Sequence, residues 1–243
     1  MADELMIRLG VFLGLFWLFA LAETLAPRRA RAVPRRPRWL TNWAMVLLDT
    51  LALRLLAIAL PLLAVGAAMD AAQLGVGLFH RVGTPYWLGL ILSVLLFDLA
   101  IWTQHLVTHK VPLFWRFHRV HHADRDLDVT TAIRFHPVEI AASMLVKIGL
   151  VYLIGPAPAA VVLFEVLLNG TALFSHANLR LPGALDRWLR LVLVTPDMHR
   201  VHHSAHRHEH DSNYGFALSV WDRLFGTYRA QPEGGHESMT VGL

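Results

Sequence analysis

The 243-residue chain has no cysteine. Disulfides, thiolate nucleophiles, cysteine-ligated zinc and cysteine-held iron–sulfur clusters are therefore excluded. Charge is scarce too. Asp, Glu, Lys and Arg make up 16% of the residues, against about 25% in an ordinary soluble domain. Hydrophobic residues reach 55% and mean hydropathy is +0.45, so much of the chain avoids water. Several motifs are missing as well. No Gly-x-Gly-x-x-Gly dinucleotide fingerprint follows a strand, and no His-Glu-x-x-His signature occurs. The paired Glu-x-x-His motifs of ferritin-like di-iron bundles are also absent.

What remains is apolar helix and histidine. A membrane helix needs about 20 mostly apolar residues, and Leu5 to Leu25 supplies one such stretch. Asp3 and Glu4 precede it where a signal peptide wants basic residues, so a membrane anchor is the better reading. The connector Pro27 to Arg38 carries Arg28, Arg29, Arg31, Arg35, Arg36 and Arg38, which places it in the cytoplasm by the positive-inside rule. Net charge is +4, nearly all of the positive charge is arginine, and it flanks the apolar stretches. Such basicity reads as topology and gives no reason to expect nucleic acid as a partner.

Asn42 to Met69 reads as a second span, with Asp49 and Arg54 inside it. Intramembrane charges are often functional, but the simpler expectation is that both sit near the cytoplasmic end and pair or snorkel. Asp70 to Thr84 falls outside, and Pro85 to Gln104 returns. A polar, His-rich segment follows from His105 to Pro137. Val138 to Ser175 is apolar again and is split by Gly155-Pro156-Ala157-Pro158, which suits a helical hairpin, full or re-entrant. Spans assigned from apolarity alone thus put every histidine cluster on the cytoplasmic face. The expected fold class is all-α: an integral-membrane helical bundle with a cytoplasmic, His-rich helical cap holding a dimetal site.

Fifteen histidines occur, and 13 lie between His105 and His210. His105 and His109 are spaced i, i+4; His118, His121, His122 and His199, His202, His203 repeat the text His-Arg-Val-His-His at i, i+3, i+4. Residues three and four apart share one helix face, with Cβ atoms about 5–6 Å apart. Two imidazoles at i, i+4 can hold one ion. Three on one face exceed what one ion commonly takes from a single turn, so the triplets suggest two ions side by side, sharing eight imidazoles. One such pair arises by chance; two triplets and a pair at the ends of spans do not, and burying them unliganded would be costly. Imidazole suits zinc, copper, iron and nickel, so spacing leaves the metal open. A metal transporter or store would put its site near the bilayer midplane on broken helices, and a zinc hydrolase needs a general base and far fewer histidines.

The stretch from about Asp98 to Tyr228 resembles the fatty acid hydroxylase superfamily, which includes sterol desaturases and the alkylglycerol monooxygenase. The resemblance rests on Asp98-Leu-Ala-Ile-Trp-Thr-Gln-His105, His109, Trp115-Arg-Phe-His118-Arg-Val-His121-His122, Phe135-His136-Pro-Val-Glu139, Phe174-Ser-His176-Ala-Asn178, Thr195-Pro-Asp-Met-His199-Arg-Val-His202-His203-Ser204, Asn213-Tyr-Gly215 and Trp221-Asp-Arg-Leu-Phe-Gly-Thr-Tyr228. It implies two iron ions held by the eight clustered histidines, with His176 as a further ligand. It also implies O2 as cosubstrate, an external electron donor, and hydroxylation or desaturation of a lipid or sterol-like substrate. Some relatives carry a second histidine where Arg180 stands, which leaves one ion here with a smaller shell. The implied division is residues 1–84 as membrane anchor and 85–243 as catalytic domain, with spans near 85–104 and 138–175.

Other residues are secondary candidates. Pro137 disfavours helical geometry at His136, which leaves ligand, hydrogen-bond donor and helix-entry roles open. Glu139, Asp98 and Asp197 are candidates to orient ligating imidazoles by accepting their free N–H, or to add a ligand, and Glu139 equally suits the start of the apolar helix. His206, His208 and His210 alternate and read as loop; His80 and His236 read as incidental. Asn213 to Gly215 resembles a turn, and Trp221 to Tyr228 an interfacial aromatic segment. A separate reductase or acidic electron carrier would dock on Lys110, Arg116, Arg119, Arg125 and Arg134, a basic set that anionic lipid headgroups explain equally well.

Overall fold

Proline decides where several helices begin. The structure, a computed structural model, describes residues 2–60 and 63–243. Its helices are α1 (Ala2–Leu25), α2 (Arg35–Ala59), α3 (Ala64–Leu74), α4 (Leu78–Arg81), α5 (Tyr86–Lys110), α6 (Pro112–His122), α7 (Pro137–Ile154), α8 (Pro158–His176), α9 (Gly183–Leu189), α10 (Pro196–His202), α11 (Arg207–His210) and α12 (Val220–Leu224). No strand occurs among the described residues, only isolated bridges, so the fold is all-helical. Helices α6, α7, α8 and α10 each start on a proline, whose fixed φ suits the first turn and whose missing N–H would have had no partner there. The residue before a proline is pushed into extended geometry. Val111 obeys (φ −101, ψ 116), so α5 stops at Lys110, the chain turns, and α6 begins at once.

Among the described residues, five stretches are long and apolar enough to cross a bilayer: Met6–Leu25, Arg35–Arg81, Tyr86–Lys110, Pro137–Ile154 and Pro158–His176. Two boundaries differ from expectation. The third span runs to Lys110, not Gln104, because nothing breaks the helix before Pro112. His105 and His109 therefore stand in the last turns of a spanning helix, not in a polar segment beyond it. The expected span 42–69 is divided between α2 and α3, and its residues 61–62 lie outside the described residues. Leu60, which precedes Pro61, is extended (φ −126, ψ 97) and ends α2.

Helix α8 packs on α1, α3 and α5, while α7 packs on α2 and α3. Ala64, Ala67 and Ala68 give α3 a small-residue face that admits Val151, Ile154 and Val161; the rings of Phe97 and Phe164 stack behind it at 5.1 Å. Phe16 and Ala20 of α1 close a second cluster with Val129, Ala132, Ala172 and Leu173. The α7–α8 hairpin turns at Gly155 (φ +65), where a Cβ would fall 2.6 Å from the His80 ring and 2.8 Å from the Val76 carbonyl oxygen. Leu47, Leu51, Leu55 and Ile58 form an exposed stripe along α2. An apolar stripe of that length is a liability in water and an asset in lipid, and the chain is built as an integral membrane protein.

The Arg-rich connector is clamped to the same end of the bundle as α6 and α10. Arg28 bonds Asp197 at 3.1 Å and Arg29 bonds the Met239 carbonyl at 2.9 Å. Glu23, fully buried, accepts from Arg35 at 2.6 Å and from the backbone of Val129 and Asn178. Arg38 spreads over Asp124 (2.6 and 2.8 Å), Asp128 (2.6 Å) and the Asp126 carbonyl (2.6 Å). Asn42 joins Asp124 to Thr130, and Arg134 bonds Asn42 and the Val120 carbonyl. Arg134 is thus an internal brace, not part of the basic outer face expected from sequence. Removing one partner of a buried charge network strands the others and costs about 3–5 kcal/mol. Arg38→Ala should therefore lower the melting temperature of the detergent-solubilised protein sharply, while Arg36→Ala, outside the network, leaves it near wild type.

Candidate metal centre

Nine imidazoles meet where α5, α6, α8 and α10 converge. They fall into two groups, His105, His109, His118, His122 and His202, and His121, His176, His199 and His203, with ligand atoms within 4.8 Å of one another in each. The two triplets are divided reciprocally. On α6 the i, i+4 pair His118 and His122 joins the first group, and His121 joins the second. At α10 the pair His199 and His203 joins the second group, and His202 joins the first. The groups abut: the His122 and His203 rings stack at 4.5 Å. All nine side chains are buried.

Ring orientation follows from what holds the outer nitrogen. Nδ1 of His105 lies 2.7 Å from the Tyr214 carbonyl oxygen, that of His202 2.7 Å from Ser212, that of His176 2.7 Å from Ala172, and that of His121 3.1 Å from Arg134. His118 Nδ1 meets the Glu139 carboxylate at 2.7 Å. Each such acceptor takes an Nδ1–H, which leaves the Nε2 lone pair pointing inward. The inner nitrogens crowd together: His105 and His118 Nε2 at 3.1 Å, His121 and His176 at 3.1 Å, His176 and His199 at 3.0 Å. Two nitrogens bound to one ion at about 2.1 Å would stand about 3–3.4 Å apart. Both ring nitrogens of His109, His122 and His203, and Nε2 of His202, are buried with no hydrogen-bond partner among the described residues. Unpaired buried nitrogens in this number are costly for the protein alone and fit a cation-binding donor set.

Burial first, and neighbouring imidazoles second, hold His121, His122, His199 and His203 well below the usual imidazole pKa. Burial does the same to His202, against the Ser212 carbonyl, which favours its charged form. The neutral form, the one that ligates metal, is therefore their form at neutral pH.

Of the three acids Glu139, Asp98 and Asp197, only Glu139 hydrogen-bonds a clustered histidine. Asp98 instead accepts from the Trp221 indole at 2.8 Å and the Leu218 amide at 3.2 Å. Asp197 pairs with Arg28 and Arg200, which hold its carboxyl below the usual carboxylate range. His136 caps α7, its Nδ1 accepting from the Val138 amide at 3.1 Å, and stays outside both groups. His206 and His208 lie on the surface, but His210 is buried and stacks on Trp115 at 5.3 Å. His236 is also buried, near Asp197. Arg180, exposed, reaches Glu237 and the Arg28 carbonyl.

Sequence reading missed the backbone carbonyls that orient the rings, and it missed Asp222. That buried carboxylate accepts from the Trp102 indole (3.0 Å), the amides of Tyr214 and Gly215 (2.8 Å each) and the Thr227 hydroxyl (2.7 Å). It fixes the turn whose Tyr214 carbonyl holds His105. The one available signal was its place inside the matched Trp221–Tyr228 text.

A cavity of about 320 Å³ opens beside the first group, lined by His105 and by residues of α1, α2, α5, α7 and α8. Its walls are chiefly apolar, among them Phe12, Leu53, Ile101, Ile140 and Leu168. Gln104 and Glu139 also border a second, more apolar groove of about 610 Å³ between α5 and α7.

The family model described as fatty acid hydroxylase matches residues 90–227. The chain is 33% identical over 147 residues to alkylglycerol monooxygenase of Homo sapiens, covering 60% of this chain and 31% of that one. It is 33% identical over 154 residues to ornithine lipid hydroxylase OlsE of Rhizobium tropici, covering 61% and 44%. It is 31% identical over 140 residues to a cholesterol 25-hydroxylase-like protein of Danio rerio, covering 55% and 53%. The chain therefore spans about a third to a half of the length of these relatives. No solved structure matches it. The matched stretch begins within α5, ends beyond α12 and contains all nine converging histidines, and the chain belongs to the fatty acid hydroxylase family.

Proposed function

We propose that this chain is a membrane-bound, O2-dependent di-iron oxygenase that hydroxylates, or desaturates, an unactivated C–H bond of a lipid or sterol-like substrate. The observation that carries the reading is the division of nine buried imidazoles into two abutting groups with inward-facing nitrogens. In this reading His105, His109, His118, His122 and His202 hold one iron, and His121, His176, His199 and His203 hold the other. Bound iron supplies O2 activation with electrons delivered from outside, and the protein supplies binding, orientation and exclusion of water.

The chain's own residues then have distinct tasks. Glu139 holds the His118 Nδ1 proton, turning that ring inward and raising its basicity as a ligand. The carbonyls of Tyr214, Ser212, Ala172 and Arg134 do the same for His105, His202, His176 and His121. The apolar cavity beside His105 takes the substrate chain and keeps water from it. The α5–α7 groove, which shares Gln104 and Glu139 with that cavity, offers a lateral path from the bilayer. The names of the relatives, which act on alkylglycerol, ornithine lipid and cholesterol, support a lipid substrate. Electrons come from a separate reductase or carrier, and exposed Lys110, Arg116, Arg119 and Arg125 offer it a basic landing surface.

The six arginines between Pro27 and Arg38 favour a cytoplasmic position for that connector. Its clamps to Asp197 and Asp124 support the same side for the proposed metal site.

Four outcomes are expected. Anaerobically purified protein should contain two irons per chain by elemental analysis; one or none would sink the dinuclear assignment. His121→Ala and His202→Ala, one from each group, should each lose iron and product formation, while His136→Ala and His208→Ala keep both. Glu139→Gln should bind iron about 10–100-fold more weakly, as loss of an outer hydrogen-bond partner does elsewhere, and unchanged affinity would remove its assigned task. Because the chain has no native cysteine, a cysteine introduced at Arg31 is a clean topology probe. It should resist impermeant thiol reagents added to intact cells and react after lysis; labelling in intact cells would invert the assigned orientation.

A further inference from the structure

Buried acids in this bundle nearly all have a dedicated partner. Glu165 on α8 is met by Lys147 at 2.6 Å and by Arg8. Glu23 is met by Arg35, and Asp124 by Arg38. Asp98 is met by the Trp221 indole. Asp49 on α2 is the exception. Its side chain is only 9% exposed, its Oδ1 has no hydrogen-bond partner, and no basic group pairs with it among the described residues. Neither snorkelling nor pairing, the simpler expectation from sequence, describes it, since the side chain lines the cavity beside His105.

Two more lining residues share the condition. Gln104 Oε1 and Glu139 Oε2 are buried without a partner, while the other oxygen of Glu139 is committed to His118. No Lys or Arg lines the cavity. A chiefly apolar chamber is thus lined by three side chains, from three helices, that each carry a buried oxygen without a partner. Buried acceptors left unpaired are costly, and an ionisable side chain inside a span that faces a cavity marks a substrate path by default.

We infer that Asp49, with Gln104 and Glu139, reads a hydrogen-bond donor on the lipid substrate, either an alcohol O–H or an ammonium N–H. This rests on the cavity being the substrate site of the proposed oxygenase. Apolar walls accept any chain of suitable girth, so they discriminate weakly. Acceptors that need a donor reject the analogue lacking one much more strongly. Asp49 is accordingly a specificity residue, distant in role from the ligand set.

The test uses the full chain, purified anaerobically in detergent micelles, and four radiolabelled probes in equilibrium binding. They are hexadecane-1,2-diol and its dimethyl ether, and hexadecylammonium and its N,N,N-trimethyl form, which keeps the charge and loses every N–H. Wild-type protein should bind at least one free-donor probe about tenfold or more tighter than its blocked partner. The pair that shows the ratio identifies the source as alcohol or ammonium. Asp49→Leu should bring that ratio close to one while binding the blocked probe at least as well. Should Asp49→Leu fail to fold, Asp49→Asn carries the test, with a reduced ratio expected. Free and blocked probes bound within about twofold by wild type, no binding of any probe, or a variant that keeps the wild-type ratio would each overturn the inference. Iron content of the same samples separates the two readings. Two irons without a donor preference removes the inference alone, and a preference without iron removes the di-iron assignment alone.

Discussion

An imidazole presents a lone pair to a fixed point most securely when its other nitrogen is tied to something behind it, as in five of the nine here. That requirement organises the polar end of this bundle. The ties are mostly backbone carbonyls, drawn from segments far apart in the chain: Tyr214 behind His105, Ser212 behind His202, Arg134 behind His121. Each carbonyl is placed by further structure. Asp222 gathers the turn at Tyr214 and Gly215, and Asn213, in the left-handed region at φ 53, spans from the Met198 carbonyl to the Arg229 backbone. Segments that carry no clustered histidine therefore decide where the imidazoles point.

The helices obey the same constraint from the other side. Nitrogens cannot converge unless α5 and α6 fold back at Val111-Pro112, so that a pair on one helix and a triplet on the next face each other. The α7–α8 hairpin brings His176 to the cluster from within the membrane bundle. The clamps of Arg38 and Glu23 then hold the loop after α6 against the first two helices. Membrane helices supply the frame, and buried ion pairs at its end supply the registry.

Much of this was legible in the residues. Two His-x-x-His-His triplets and an i, i+4 pair are same-face patterns whatever the surroundings, and apolar runs announce spans. Convergence on two groups followed from the triplets having more nitrogens than one ion takes. Other features left no trace in sequence. A carbonyl that orients a ring has no residue signature, so Ser212 and Ala172 could not be named. Asp98 and Asp197 are near ligands along the chain, but the helix turns them toward Trp221 and Arg28, since sequence proximity fixes neither face nor direction. The arginines of the connector looked like topology signals alone, whereas Arg28 and Arg38 are structural anchors whose partners lie 86 or more residues away. Asp49 showed the limit most clearly. A lone acid in an apolar run has the same text whether it snorkels or faces a chamber, and only packing tells the two apart.

The crossed allotment of the triplets has a kinetic side. Because α6 and α10 each straddle both groups, an ion held by either group in the proposed reading would fix the two helices against each other and so pre-shape its neighbour. The ordering entropy falls largely on the first arrival, and the second enters a finished cradle. Half-filled molecules should thus be scarce at any supply of ion, and maturation would proceed as one concerted snap from empty to full.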